Sequence, residues 1–423
     1  MTFLGGVPMR TLSVVSFPLP LLLLLAAAPA AAADVTFSRD VAPILNRHCV
    51  GCHRAGEIAP MSLATYREAR PWARSIQRAV TSGAMPPWFA APAVGEWAND
   101  PTLSEEEIGT IVAWVERGAP PGDPKLMPEP PEFTEGWQLG EPDYVIELPE
   151  VTVPADGPDL FLNQFVTLDI PERRWIRAVE FRPGAPQVNH HQLAFKADFT
   201  GMVEDGVPLT PQGALRASGS VDGRGYFNVL AMWGAGTAPT EFREGAGRWI
   251  EPGAVVVMNQ HYHPNGEEQT DRTLIGLHFG EGELRSEIQA VIAGEMEFLI
   301  PAGVPDHRVE YRHEIARDSV IVSYLPHMHL RGKRMSYTAR YADGDSELLL
   351  HVPEYDFNWQ LFYYPEKPKL VPAGTVIEIV AVYDNSEANP NNPDPTRDVG
   401  FGLQSTDEMM FGFFELVEVD GGP

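Results

Sequence analysis

Two cysteines occur in the 423 residues, at Cys49 and Cys52, and His53 follows them directly. In this C-x-x-C-H spacing the thiols can add across the vinyl groups of a haem, and the adjacent imidazole becomes the proximal iron ligand. A redox dithiol or half of a zinc site could use the same thiols. Zinc would need more thiolates or imidazoles nearby, and His48 is the other imidazole in this region. The motif therefore predicts one covalently bound haem c at Cys49, Cys52 and His53. Met61 and Met85 are candidates for the opposite axial position, since a thioether there raises the iron's potential. Met85 sits in Gly83-Ala84-Met85-Pro86-Pro87-Trp88, where proline fixes the backbone direction after a helix. Met61 reads as core packing, so Met85 is the expected ligand.

Later in the chain histidines come in pairs: His190-His191, His261-Tyr262-His263 and His327-Met328-His329. His278, His307, His313 and His351 are isolated and read as structural, and His263 as an outer neighbour of a ligand or a surface residue. Histidines at i and i+2 on a strand share a face, so His327 and His329 can hold one metal. Adjacent histidines point to opposite faces, so His190 and His191 can share a metal only at a bulge or strand end. Pro186 and Asn189 make such an irregularity available. Sites rich in imidazole and without thiolate suit copper, zinc or nickel.

The elements that must position these groups change character along the chain. Residues 1–33 have Arg10, the apolar stretch around Leu21 to Leu25, and small residues at Ala31 to Ala33, the layout of a cleaved secretory signal. Residues 34–119 read as helical, with Ser38 capping a first helix through Leu45, a second over about Ser62 to Ser82, and a third opened by the capping box Ser104 and Glu107. Six prolines between Pro120 and Pro131 mark a stiff linker, 120–140. Beyond it, short period-two runs such as Tyr144 to Leu148, Gly253 to Met258, Ser319 to Tyr324 and Thr375 to Val382 alternate with turn residues. These predict two all-β sandwiches, 141–288 and 289–423, with the break between Leu284 and Phe298. The expected chain is thus multidomain: a small all-α domain carrying the haem, then two β-sandwiches. The net charge of −27 argues against binding nucleic acid or anionic lipid. It fits a soluble periplasmic or secreted protein with no membrane span once the signal is cleaved.

Two resemblances sharpen this reading. The Met85 loop resembles the methionine loop of small class I c-type cytochromes. The histidine segments are similar to the copper type II, ascorbate-dependent monooxygenases, the family of dopamine β-hydroxylase and peptidylglycine α-hydroxylating monooxygenase. That family's first copper uses an adjacent histidine pair and a later His-Tyr histidine, which match His190, His191 and His261. Its second uses His-x-His and a distant methionine in a Glu-Met context, which match His327, His329 and Met409. Adjacent Met410 is the rival to Met409. The likeness runs from about Glu141 to Glu415 and keeps the family's order, with the sites on two successive jelly-roll-like sandwiches.

The resemblance implies two copper ions: an electron-transfer copper at His190, His191 and His261, and an oxygen-binding copper at His327, His329 and Met409, the catalytic set. In the family, one atom of O2 enters a C–H bond and the other leaves as water, which takes two electrons. Members that oxidise peptides place arginine two residues before the His-x-His and Asn and Tyr two and four residues after the methionine. This chain has Leu325, Phe411 and Phe413 there, which implies a small apolar or aromatic substrate. The expected protein is a copper monooxygenase whose fused haem c takes electrons from a periplasmic cytochrome or small reductant. The alternative is a non-catalytic haem c and copper electron-transfer or copper-binding protein.

Overall fold

A computed structural model describes residues 35–133, 136–197, 226–227, 229–234, 237–402 and 404–419 of the chain. The expected signal, 1–33, lies outside the described residues. From Val35 onward the chain forms one compact unit. It is mostly β, and its described helices are short and fall between Phe37 and Leu126. No helix among the described residues is long and apolar enough to cross a membrane.

Within the helical part the sequence expectations need two corrections. The first helix is capped by the backbone at Thr36 and not by Ser38: a π-helical turn, Phe37–Val41, runs into the helix Ala42–His48. Ser38 is already inside that turn, and its hydroxyl donates to the carbonyl of Pro121 at 2.8 Å. The second helix is split into Tyr66–Ala69 and Ala73–Thr81 by the 3-10 turn Arg70–Trp72. Pro71 explains the break, because it has no N–H to donate and its ring crowds the preceding turn. The third helix, Glu105–Glu116, opens on the Ser104 and Glu107 capping box. Its Ile111 and Trp114 are fully buried against Phe37, Leu45 and Val80.

The proline-rich segment begins as part of this packing. The N–H groups of Phe37 and Ser38 donate to the carbonyls of Pro120 and Pro121, each at 3.0 Å, and the Trp114 indole donates to Pro120. A second attachment runs from Trp88 to Asn99. Ala91 and Ala98 donate to the carbonyls of His351 and Tyr364, each at 2.8 Å. Trp88 packs 4.9 Å from Tyr363, and Trp97 lies 5.5 Å from Tyr363 and 6.0 Å from Tyr324, ring centre to ring centre.

The β part is two pairs of facing sheets. In the first pair, the strands Tyr144–Glu147, Leu274–Phe279, Arg174–Arg182 and Ala246–Ile250 lie side by side. They face a sheet ordered Leu160–Thr167, Val255–Tyr262, Asn189–Ala197 and Val229–Gly234. Ile146, Val179 and Ile275 meet Ala194, Val256 and Met258 between them. In the second pair, Ser286–Glu295, Met410–Glu418, Ser319–His327 and Lys369–Val371 face His307–Glu314, Val376–Tyr383, Gly332–Arg340 and Ser346–Val352. Tyr324, Tyr337, Ile379 and Phe414 fill that core. The stretch expected to separate the two halves is itself the strand Ser286–Glu295. Its first residues pair in parallel with Ala246 and Gly247, so one sheet runs through both halves.

Alternation along these strands creates a third apolar layer. Where Ala194, Val256 and Phe414 face the cores, their neighbours Leu193, Phe195, Val257, Leu325, Phe411 and Phe413 face one another across the two halves.

One half-buried group links this packing to pH. Burial lowers the pKa of His313 from 6.5 to about 4. The unfolded chain therefore takes up a proton at this residue before the folded chain does. Stability is intact above 6.5 and falls as the pH drops towards about 4. His313→Phe is expected to flatten this slope, measured as the difference between urea midpoints at pH 7 and pH 5; an unchanged slope would assign the titration elsewhere.

Candidate metal centres

The strand Asn189–Ala197 pairs with Val255–Tyr262 so that His191 lies opposite His261, whereas Tyr262 lies opposite Asn189. The register skips His190, which is the extra residue of a β-bulge. This brings adjacent histidines to the same place. One ring nitrogen from each of His190, His191 and His261 lies within 4.8 Å of the other two. His261 Nδ1 is 3.3 Å from His191 Nε2, and its Nε2 is 2.8 Å from Asp159 Oδ2. A carboxylate only accepts, so His261 donates from Nε2 and keeps its Nδ1 lone pair directed at the other imidazoles. Asp159 also accepts from Nδ1 of the exposed His263, at 2.7 Å. Burial alone would raise the Asp159 carboxyl, but the bonds from His261 and His263 outweigh it and hold its pKa well below the usual range.

Both ring nitrogens of His190, and Nδ1 of His191, are buried without a hydrogen-bond partner. Three unsatisfied buried nitrogens in one cluster are costly in a folded protein. A metal ion accepting one lone pair from each ring removes that cost for one nitrogen of His190 and for Nδ1 of His191, so the residues present fit one. Burial pushes His190 down to about 3 and His191 well below its ordinary value, chiefly by desolvation and then by the neighbouring His261. Both are therefore neutral, the form that ligates.

His327 ends the strand Ser319–His327, and His329 lies two residues beyond, its ring 5.3 Å from that of His327. His327 Nδ1 donates to Gln360 Oε1 at 2.6 Å, and His329 Nδ1 lies 3.3 Å from the carbonyl of Asp407. Each keeps Nε2 for a ligand. Burial lowers His327 to about 4 and His329 well below the usual range. His327 pairs with Phe411, and Met409 precedes Phe411 by two residues as His329 follows His327 by two. Met409 belongs to the apolar layer with Leu325, Phe411 and Phe413, whereas Met410 faces the core of the second sheet pair. Alternation thus separates the two methionines and leaves Met409 on the histidine side.

A buried knot fixes this second set. The N–H groups of His329 and Arg331 donate to the two oxygens of Glu408 at 2.9 and 2.7 Å. Burial pushes the Glu408 carboxyl up to about 8 despite these bonds. Arg331, fully buried, donates to Asn385 Oδ1 at 2.8 Å and to the carbonyl of Thr406 at 2.9 Å.

The C-x-x-C-H residues leave the helix Ala42–His48. Cys52 and His53 donate their N–H groups to the Cys49 carbonyl at 3.1 and 2.8 Å, so one tight turn carries all three side chains. Both thiols are free, and burial raises Cys49 to about 12 and Cys52 in the same direction. His53 Nδ1 lies 3.2 Å from the carbonyl of Met61, which leaves Nε2 for iron. This turn fits a haem c. Met61 packs against the helical core, and Met85 is half-buried in the loop after Thr81. Among the isolated histidines, His278, His307, His313 and His351 join neither histidine set, and His351 lends its carbonyl to Ala91.

Sequence reasoning missed Asp159, Gln360, Phe357 and Ser405. Glu408 and Arg331 had a signal, since each adjoins a ligand motif, but neither motif tells that they meet. If His190, His191 and His261 hold a metal ion, Asp159→Ala is expected to weaken its binding by roughly 10–100-fold, by loss of the group that orients His261. Chelator competition measures this, and unchanged affinity would show that His261 needs no orienting partner.

Neither the protein-family models nor the curated proteins give a match to this chain. Among solved structures, PNGF-II in its P21 space group is 12% identical, with a TM-score of 0.26; the match covers 64% of this chain and 65% of that one. The infectious bursal disease virus VP2 subviral particle is 9% identical with a TM-score of 0.19, covering 66% and 75%. Likenesses this low carry no inference about fold or activity.

Proposed function

We propose that the chain is an exported, periplasmic or secreted copper monooxygenase of the copper type II kind, with a helical haem c part that supplies electrons. The observation that carries this reading is the convergence of His190, His191 and His261, with unsatisfied nitrogens, beside a second set in which His327 and His329 keep Nε2 free and the strand register puts Met409 on the same side. A donor set of three imidazoles and one of two imidazoles with a thioether suits two coppers of different character. Bound copper would supply one-electron redox chemistry and an O2 site, and bound haem c a further one-electron store.

The chain's own residues do the rest. Asp159, Gln360 and the Asp407 carbonyl hold three imidazoles in fixed tautomers. Leu325, Phe411 and Phe413 exclude water from one side of the second set, and Phe413 lies 6.1 Å from the His327 ring. A cavity opens in this layer, lined by Met232, Leu325, Phe362 and Phe413, with Glu415 in its wall. Its lining is mostly apolar, in keeping with a small apolar or aromatic substrate, with Arg248 paired to Glu415 at the wall and none of the histidines among its lining residues. Trp88 and Trp97 hold the helical part against Tyr363 and Tyr324, on the same half as His327, which favours electron supply from within the chain.

The test is anaerobic reduction of the copper-loaded protein followed by a pulse of O2 with candidate apolar substrates. Hydroxylated product, and haem reoxidation faster than in a copper-free control, are expected. Neither change would leave the non-catalytic electron-transfer or copper-binding reading standing. Met409→Ile should abolish turnover and leave the Cu(II) spectrum of the His190, His191 and His261 site intact.

A further inference from the structure

The helical part carries a stripe of positive charge on an acidic protein. Arg67, Arg70, Arg74 and Arg78 recur at steps of three and four along the run Tyr66–Ala69, Arg70–Trp72 and Ala73–Thr81, so they share one side of it. All four are exposed, and the opposite side buries Ala69, Ala73, Ile76 and Val80. Arg78 bonds Ser75 Oγ at 3.0 Å, and none of the four forms an ion pair among the described residues. In the β part, exposed arginines sit beside carboxylates: Arg173 with Glu251, Arg272 with Glu147 and Glu150, Arg312 with Glu378. Glu68 lies within the stripe, but its carboxylate is taken up by the N–H and hydroxyl of Thr65.

The same run leaves Trp72 42% exposed between Arg70 and Arg74. Arginine and tryptophan together are the composition of a protein interface more than of a solvated face. Charge decides the occupant. The chain carries −27 in all, so an anionic membrane or a second copy would bring its own negative charge against the whole acidic body. A small acidic protein meets only the stripe, because salt screens charges more than about 10 Å away. From Arg67 to Arg78 the stripe is about 16 Å long at the helical rise, the scale of a small contact patch.

We propose that Arg67, Arg70, Trp72, Arg74 and Arg78 form the docking surface for a small acidic protein. The buried side of the same run packs in the core that Cys49 touches, one helix thickness (about 10 Å) below the patch. On the haem reading the partner is therefore an acidic one-electron donor. The docking surface itself does not rest on that reading.

The experiment uses the full chain and a polyglutamate peptide bearing a ruthenium tris-bipyridine group, which is both the acidic probe and a photoreductant. Luminescence anisotropy should show saturable binding that weakens about tenfold as added salt shortens the Debye length from about 30 to about 10 Å. Arg70→Gln with Arg74→Gln should weaken binding by about fivefold, and Arg173→Gln with Arg272→Gln should leave it unchanged. Trp72→Ala should weaken it without altering its salt dependence. Equal binding by the wild type and the Arg70, Arg74 variant, or tighter binding to phosphatidylglycerol vesicles than to the peptide, would overturn the docking surface. On a flash, one electron passes from the excited ruthenium to the ferric haem, in a first-order phase that the Arg70, Arg74 variant should lack. Binding without that phase would overturn the donor role and leave the surface. A chain without haem absorbance would sink the haem reading, with peptide binding still deciding the surface.

Discussion

The apolar layer between the two sheet pairs is the constraint on which the candidate sites depend. Leu193, Phe195 and Val257 from the first half pack against Ala290, Ile292, Leu325, Phe411 and Phe413 from the second. A strand cannot turn one side chain towards this layer without turning its i+2 neighbours the same way. Burying Leu193 and Leu325 therefore also commits His191 and His327 to the interface. Hydrophobic burial thus does positional work for polar groups that gain nothing from the burial themselves, and their lowered pKa values record that cost.

Polar contacts across the halves limit how far this layer can slide. Arg248, on the strand Ala246–Ile250, pairs with Glu415 on Met410–Glu418, and Glu415 also accepts from Ser323 Oγ at 2.8 Å. Asp159 and Ser405 make the second crossing. Both carboxylates are largely buried, and a buried charge without its partner is strongly destabilising, so each crossing fixes a register as well as a distance. The parallel pairing of Ser286 with Ala246 adds a backbone constraint at the same seam.

How much of this the sequence carried depends on the range of the interaction. Local signals read through cleanly: the Ser104 and Glu107 capping box, the strands at Tyr144 and Val376, and the placing of His327 and His329 two residues apart. The bulge at His190 was half legible, because two adjacent histidines demand an irregularity but do not say which partner strand supplies it. Pro71 is visible in the sequence, but the apolar spacing on either side of it runs on as one helix, and only the structure shows the 3-10 turn that divides it. Asp159 carried no signal, since it meets His261 across 102 residues of chain and adjoins no motif. The meeting of His191 with His327 was equally hidden, because it follows from how two sheet pairs pack and not from any spacing along one strand.

The Glu408 knot shows why the second candidate set stays in place when its members are loop residues. His329, Asp407 and Met409 all lie outside regular strands. Without further support such a set would have the freedom of its loops. Glu408 removes that freedom by accepting the N–H groups of His329 and Arg331 from one loop while sitting beside Met409 in the other. The buried guanidinium of Arg331 lies 4.0 Å away and spends its own donors on Asn385 and Thr406. Tyr383 completes the closure, its hydroxyl donating to the Met409 carbonyl at 2.7 Å. A carboxylate so fully enclosed is expensive to bury, and it neither forms a strand nor packs an apolar core. Its cost is offset where it acts, in tying the backbone of His329 and Arg331 to the distant stretch of chain that carries Met409.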